Sequence, residues 1–579
     1  MQRTGGQVVV EMLRALQVHH IFGVPGETSL AFYDALCTSQ DGPRHILVRD
    51  ERSAAYMADV YARVSFRPGV CEAPSGAGVT YLASGLAEPH ASSIPVVALT
   101  SDTPVVQEER NVLTALDQPA LFAPISKYRT LVKEPERIPD ALRAAFRSAT
   151  TGRPGASVVV LPTDVLAASC EDLDLSVDPR FSTYPAYPVR PDPGAVEEAA
   201  QRLARAERPA IVAGGGVVSA QAWSELTALA EALQAPVGTS ICGKGAIAED
   251  HPLALGVVGG NGARPYANEF LRQADLILFV GCKTDSVTTL GWTLPPRHNP
   301  PALIHLDIDP AEIGRNYPAS LGLVGDARLG LADLLEALPR RFRGKRDWLA
   351  RLERERERFW AEFAGRAASI ERPIRPQRVI ECLSRLLPRD SILVADAGTP
   401  TPFAAAYYPS PAGRHVVIPR GYGGLGYAIP GVLAAKLARP EATVVGLMGD
   451  GSFGMSAGEL ETVARLGLPV LIVQFNNGCF GWIKVFQHLE YGGRCFGVDF
   501  SRDTDHAAIA RGFGLAGYRV EEPEELEQVL QEALACGRPA FVDVLTACET
   551  VELPPVEKWQ RAWAERLRKE GPAGHLREG

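Results

Sequence analysis

One stretch of this chain restricts its fold more than any other: Val444–Asn477, VVGLMGDGSFGMSAGELETVARLGLPVLIVQFNN. An apolar run of strand length ends in Gly449-Asp450-Gly451-Ser452. Apolar residues at helical spacing follow (Leu460, Val463, Leu466) and stop at Gly467. A second apolar run, Pro469–Phe475, delivers Asn476 and Asn477. This pattern predicts a parallel strand–helix–strand unit, whose two strands end on the side of the sheet where open α/β sheets bind ligands. Asp450 and Asn477 are therefore expected to converge, although 27 positions separate them. A carboxylate, an amide oxygen and a nearby backbone carbonyl are hard donors that suit Mg²⁺. They are too few for an octahedral shell, so phosphate oxygens and water complete it. Gly451 lets the backbone approach a diphosphate closely, and Ser452 supplies a hydrogen-bond donor.

The rest of the chain repeats the alternation of strand and helix. At 579 residues it is too long for one domain. A first α/β unit is expected over residues 1–170, with helical spacing at Val8–Ala15 and Ser53–Arg63. Strand runs stand at His20–Gly23, Val96–Thr100 and Ala156–Leu161. The proline-rich Glu171–Gly194 reads as a linker. A central unit spans 190–340, with strands at Pro209–Gly216, Ala274–Gly281 and Ala302–Asp309. Arg340–Arg366 mixes acids among its arginines and reads as an exposed connecting helix. A third unit covers 370–548, and a polar tail 549–579 holds a short amphipathic helix near Val556–Arg568. The fold class is thus α/β, with three doubly wound parallel sheets.

Composition narrows the function. The 59 basic and 68 acidic residues leave a charge of −9, which gives no basic surface for nucleic acid or an anionic membrane. No apolar run reaches the ~18 residues of a membrane span. Met1–Glu11 lacks the order of a secretion signal. Ten cysteines without a paired CxxC read as buried free thiols in a reducing cytoplasm.

The GDG…NN segment resembles the diphosphate-binding motif of thiamine diphosphate (ThDP)-dependent enzymes, and the likeness extends along most of the chain. It resembles the acetohydroxyacid synthase and 2-oxo acid decarboxylase group, whose chains carry pyrimidine-binding, central and diphosphate-binding domains. The matching landmarks are Ile21–Gly26 (IFGVPG), Ser75-Gly76-Ala77-Gly78, Ser93–Leu99 (SIPVVAL) and His305–Tyr317 (HLDIDPAEIGRNY). Arg49-Asp50-Glu51-Arg52-Ser53-Ala54-Ala55 followed by Asp59–Arg63 matches the segment that carries the group's catalytic acid. The resemblance thereby assigns Glu51 to the cofactor's pyrimidine N1′, where a carboxyl group favours the imino tautomer. Arg420–Pro430 (RGYGGLGYAIP) matches the segment that bends the cofactor, with the Gly423 carbonyl on the 4′-amino group and Leu425 wedged between the rings. Gly398 and Thr399 correspond to a second diphosphate loop beside Gly451 and Ser452. The metal ligands become Asp450, Asn477 and the main-chain carbonyl of Cys479, whose thiol is incidental. The resemblance also implies active sites shared across a subunit interface, hence a homodimer or homotetramer.

Several positions depart from the group. Ile483 stands where simple decarboxylases carry Glu, and Pro74 where benzoylformate decarboxylases carry His. The pair His19-His20 falls before the first strand and reads as structural. Thr114 replaces the synthases' Gln, and Phe486 their Trp. Gly281–Val287 (GCKTDSV) lacks their flavin-contacting Arg-Phe-Asp-Asp-Arg pattern, so FAD is not expected. Glu27 stands where synthases have a small residue and decarboxylases Asp; an acid there is a second candidate catalytic acid that relays protons, or a charge that repels anionic substrates. Lys484 reads as an exposed helical lysine, the alternative being a contact to a substrate carboxylate. The expected activity is a ThDP- and Mg²⁺-dependent carboligase that decarboxylates a 2-oxo acid and transfers the acyl-anion equivalent to a second carbonyl. The alternative is a non-oxidative decarboxylase or aldehyde lyase releasing an aldehyde.

Overall fold

A computed structural model describes residues 2–298, 300–339, 346–501 and 504–570. Three six-stranded sheets organise it, and parallel pairing runs through each of them. Two compact units hold these sheets.

The first unit comprises Met1–Pro188 together with Pro419–Gly446 and Met455–Val470. Its sheet runs, edge to edge, Arg44–Leu47, His20–Gly23, Gly69–Ala73, Val96–Asp102, Ala156–Pro162, Tyr128–Leu131. Every residue of the three strands from Gly69, Val96 and Ala156 is buried, as a sheet covered on both faces requires. The helix Glu51–Ser65 is almost wholly buried too, its capping Asp50 accepting from Arg52 N at 2.8 Å. The expected helix and strand runs of this region all form, with the first helix starting at Gly5. Residues 171–192 carry no regular element beyond the 3₁₀ turn Pro179–Ser182.

The second unit holds the central sheet, ordered Ala254–Val257, Val237–Thr239, Pro209–Ala213, Leu276–Val280, Ala302–Asp307, Leu321–Val324. Alternate residues of its strands serve two cores. Ile211, Ala213, Leu278, Val280, Ile304 and Leu306 line one, whereas Ala210, Val212, Ile277, Phe279 and Leu303 line the other. That is why the sequence shows continuous apolar runs there instead of alternation. The helix Arg346–Ala367 differs from the exposed connector expected of it. Trp348 and Leu352 are buried in the second of those cores, and Arg351 lays its guanidinium over the Phe270 ring at 5.3 Å. Long arginine stems cover apolar surface while their heads stay in water, so a charge-rich helix still packs. Residues 340–345 of the predicted helix and 571–579 of the tail lie outside the described residues. The tail's helix, Glu557–Glu570, brings Trp559 against Trp482 at 4.3 Å and Phe486 at 5.0 Å.

The third sheet runs Val416–Val417, Ile392–Ala395, Val444–Gly449, Leu471–Asn476, Ala540–Leu545, Ala516–Val520. In chain order this is 2-1-3-4-6-5, the same as the first sheet. The order reverses between its first and third strands, and loops leaving the carboxyl ends beside such a switch are where doubly wound sheets bind ligands.

Candidate active site

Four segments leave those carboxyl ends: the loop Asp396–Thr399, Asp450–Ser452 at the start of the helix Asp450–Ser456, and the loops Asn477–Cys479 and Thr546–Glu549. The strand Leu471–Asn476 pairs in parallel with Ala540–Leu545, Asn476 opposite Leu545, which sets the last two loops side by side. Asp450 follows directly on its strand and is buried. Its Oδ1 accepts from Gly451 N at 2.8 Å. Its Oδ2 accepts from Asn477 N at 3.2 Å and Gly478 N at 2.7 Å. The convergence read from the sequence is thus made by main-chain amides, which aim the carboxylate at the second loop. A Cβ on Gly451 would stand 2.7 Å from the Phe480 ring, so any larger residue would have to displace that ring.

One functional group was missed in the sequence. Glu549, assigned there to the tail, is buried and accepts from Asn477 Nδ2 at 2.8 and 2.9 Å and from the Thr399 hydroxyl. Desolvation pushes Asp450 up to about 6 against its three amide donors, and pushes Glu549 up to about 8, with Cys548 adding to the shift. The Asn477 Oδ1 accepts from Cys479 N at 3.2 Å, while the Cys479 carbonyl accepts from Gly481 N at 2.9 Å. Gly398, at φ +88°, turns the chain into Thr399, and Ser452 is buried beside Asp450 in sequence.

The buried Asp450 carboxylate with the Asn477 amide and Cys479 carbonyl oxygens forms a donor set matched to a hard divalent cation, and among the described residues no basic side chain hydrogen-bonds to Asp450 or Glu549. A Cβ on Gly449 would meet nothing within 4 Å, leaving room next to Asp450 for an anionic group. The residues present fit a Mg²⁺–diphosphate.

The first unit carries the other predicted residues. Glu51 opens its helix, 9% exposed. Burial raises its pKa above the ordinary glutamate value; its own backbone amide opposes that, and the Asp50 and Glu72 charges add to it. Its proton therefore persists to higher pH than on an exposed glutamate, which is the form that donates to a ring nitrogen. Glu27 sits exposed on the 3₁₀ turn Glu27–Ser29, and no described bond joins it to Glu51. Gly423, at φ +81°, has open space where a Cβ would stand, and Leu425 is half-buried. Buried Glu88 holds this segment: it accepts from Gly421 N at 2.9 Å, Tyr422 N at 2.6 Å and Gly423 N at 3.0 Å. Burial alone would raise Glu88, but Arg63, Ser92 and those amides outweigh it and keep the carboxylate ionised. Charge-assisted bonds of this kind stabilise by ~1.5–3 kcal/mol each, which fixes the Gly423 carbonyl.

The departures also have places. The Thr114 hydroxyl bonds to Ser75 Oγ at 2.8 Å. Lys484, expected to be exposed, is half-buried because it donates to Asp499 at 2.7 Å, and Ile483 beside it is exposed. His20 is pushed down to about 4, first by burial and then by Arg44 and His19, so it is a neutral structural ring.

Comparison with known proteins follows the same division. The family model for the N-terminal thiamine pyrophosphate (TPP)-binding domain of thiamine pyrophosphate enzymes matches residues 3–121. That for the central domain matches 196–338, and that for the C-terminal TPP-binding domain 396–544. A probable acetolactate synthase large subunit of Methanocaldococcus jannaschii is 36% identical over 557 residues, 93% of this chain and 91% of that protein. The acetolactate synthase isozyme 3 large subunit of Escherichia coli K12 is 35% identical over 551 residues, 93% and 94%. The large subunit IlvB1 of Mycobacterium tuberculosis is 34% identical over 567 residues, 96% and 90%.

Proposed function

This chain belongs to the thiamine pyrophosphate enzyme family, and we propose that it is an acetolactate synthase-like carboligase. It removes carbon dioxide from a 2-oxo acid and joins the remaining acyl unit to a second carbonyl. The full-length likeness to acetolactate synthase large subunits carries this choice. Ile483, where simple decarboxylases carry an acid, supports it.

In this reading Asp450, Asn477 and the Cys479 carbonyl hold Mg²⁺. Gly451, Ser452, Gly398 and Thr399 receive the diphosphate. When bound, ThDP would supply the nucleophilic carbon and the electron sink that decarboxylation of a 2-oxo acid needs. Glu51 would hold a proton at the pyrimidine N1′, and the Gly423 carbonyl and Leu425 would hold the cofactor between them. Glu27 handles a proton on the substrate side. Glu549 orients the Asn477 amide so that its oxygen faces the cation, a supporting bond of the kind metal ligands require. Catalysis takes place in a homodimer or homotetramer, in the cytoplasm, with domain limits near 170, 190–340 and 370–548. No helix among the described residues is long and apolar enough to cross a membrane.

Incubation with pyruvate, ThDP and Mg²⁺ is expected to give acetolactate and carbon dioxide, two pyruvates consumed per acetolactate. Acetaldehyde as the sole organic product would replace this reading with the decarboxylase. A second expectation concerns Gly281–Val287: protein purified gently should show no stoichiometric flavin absorbance. A yellow preparation with one flavin per chain would overturn it.

A further inference from the structure

The Cys479 thiol, incidental to the expected metal site, stands 3.6 Å from the thiol of Cys548. Parallel pairing accounts for this, since each cysteine lies three residues beyond the paired Asn476 and Leu545. A carboxylate oxygen of Glu549 completes a group whose ligand atoms all lie within 4.8 Å of one another. We propose that Cys479, Cys548 and Glu549 form a second metal site, for a thiophilic divalent cation such as Zn²⁺ or Cd²⁺.

The geometry suits a metal. Two sulfurs bound at ~2.3 Å in a tetrahedron stand ~3.8 Å apart, close to the spacing here. Glu549 brings an oxygen donor to the same group, and Asn477 Oδ1 lies 3.3 Å from the Cys479 sulfur. Softness separates the two sites. Thiolates select Zn²⁺ or Cd²⁺, whereas the oxygens of Asp450 and Asn477 select Mg²⁺. Binding replaces the two thiol protons, which go to solvent, with two metal–sulfur bonds and changes no oxidation state. Lys484 acts electrostatically on both sulfurs and offsets the charge of the thiolates.

The sites share the Asn477–Cys479 turn. On the reading of that turn as the Mg²⁺–diphosphate loop, the soft cation and Mg²⁺–ThDP bind in mutual antagonism, each weakening the other by the same factor. A thiophilic ion is then an inhibitor of the holoenzyme.

The test is titration of chelator-treated, full-length protein with Cd²⁺, followed by the ultraviolet charge-transfer band of cadmium thiolates. One Cd²⁺ per chain is expected, with Cys548→Ser and Cys479→Ser each weakening binding by at least about tenfold, the low end of what altered support around a metal costs. Cys536→Ser, a remote cysteine, should bind as wild type does. Equal Cd²⁺ affinity in wild type and both site variants, each with an unchanged thermal melt, would overturn the site, as would equal weakening by Cys536→Ser. Calorimetry of Mg²⁺–ThDP at rising Cd²⁺ then reads the antagonism. ThDP that fails to bind even without Cd²⁺ overturns the cofactor reading instead, because the cadmium band needs no cofactor.

Discussion

Glu51→Gln leaves ThDP bound and slows exchange of its C2 proton by about 10²–10⁴-fold, the range for loss of a general acid–base group. In the proposed arrangement binding should survive, because the diphosphate end would be held by Mg²⁺ and by the segments around Gly398, Asp450 and Asn477, to which Glu51 does not belong. Chemistry fails because glutamine keeps the shape and a hydrogen bond but cannot carry the acidic proton that draws N1′ towards the imino form. Burial prepares Glu51 to carry it. Desolvation lifts the carboxyl above the ordinary range, with the charges of Asp50 and Glu72 in support. The sign follows. A carboxyl whose pKa is raised keeps its proton further towards neutrality, and the variant removes that proton at every pH. Turnover should fall with exchange whether the product is ligated or released. Acid-quench NMR of bound cofactor in D₂O measures the rate. Equal rates in wild type and variant would reduce Glu51 to the first residue of a buried helix.

How much of this was legible depends on what brings residues together. Asp450 and Asn477 were readable because a helical crossover, here the helices Asp450–Ser456 and Leu460–Leu466, connects neighbouring strands, so their meeting follows from topology alone. Glu51 was readable only through the family pattern around it; an acid at a helix start carries no chemical signal by itself. Glu549 escaped because it lies 72 residues from Asn477, behind a strand whose partner the sequence does not announce, and past the point where the third unit was expected to end. A rule was available, since every loop after a carboxyl strand end in a doubly wound sheet is a candidate. The Cys479–Cys548 pair was hidden for the same reason: spacing reveals cysteines on one turn, not on neighbouring strands. Glu88 shows the other limit. Its partners are main-chain amides more than 330 residues away, and a backbone amide has no side-chain identity to find. The helix Arg346–Ala367 was misjudged on composition, because charge counts ignore the apolar stems and the buried Trp348 and Leu352 beneath them.

Asp450→Ala should abolish Mg²⁺-dependent ThDP binding, by at least about a hundredfold, or ~2.8 kcal/mol. Two losses combine. The cation loses its one charged protein ligand in the proposed set, so the diphosphate is left facing amide and carbonyl oxygens that cannot neutralise it. The Asn477 and Gly478 amides, which donate to Asp450 Oδ2 at 3.2 and 2.7 Å, lose their acceptor, and each buried donor left unpaired costs ~1–3 kcal/mol. The second loss alone would loosen the Asn477 turn without touching the metal, so Asp450→Asn separates the two. Asparagine keeps an oxygen for the amides but no charge. It should melt closer to wild type than the alanine variant does, and still fail to bind Mg²⁺–ThDP. Calorimetry with and without Mg²⁺, alongside thermal melts, reads both variants. Affinity within a few-fold of wild type in Asp450→Ala would remove Asp450 from the metal. Asparagine that restores binding would show instead that the aspartate serves to shape the turn, with charge supplied from elsewhere.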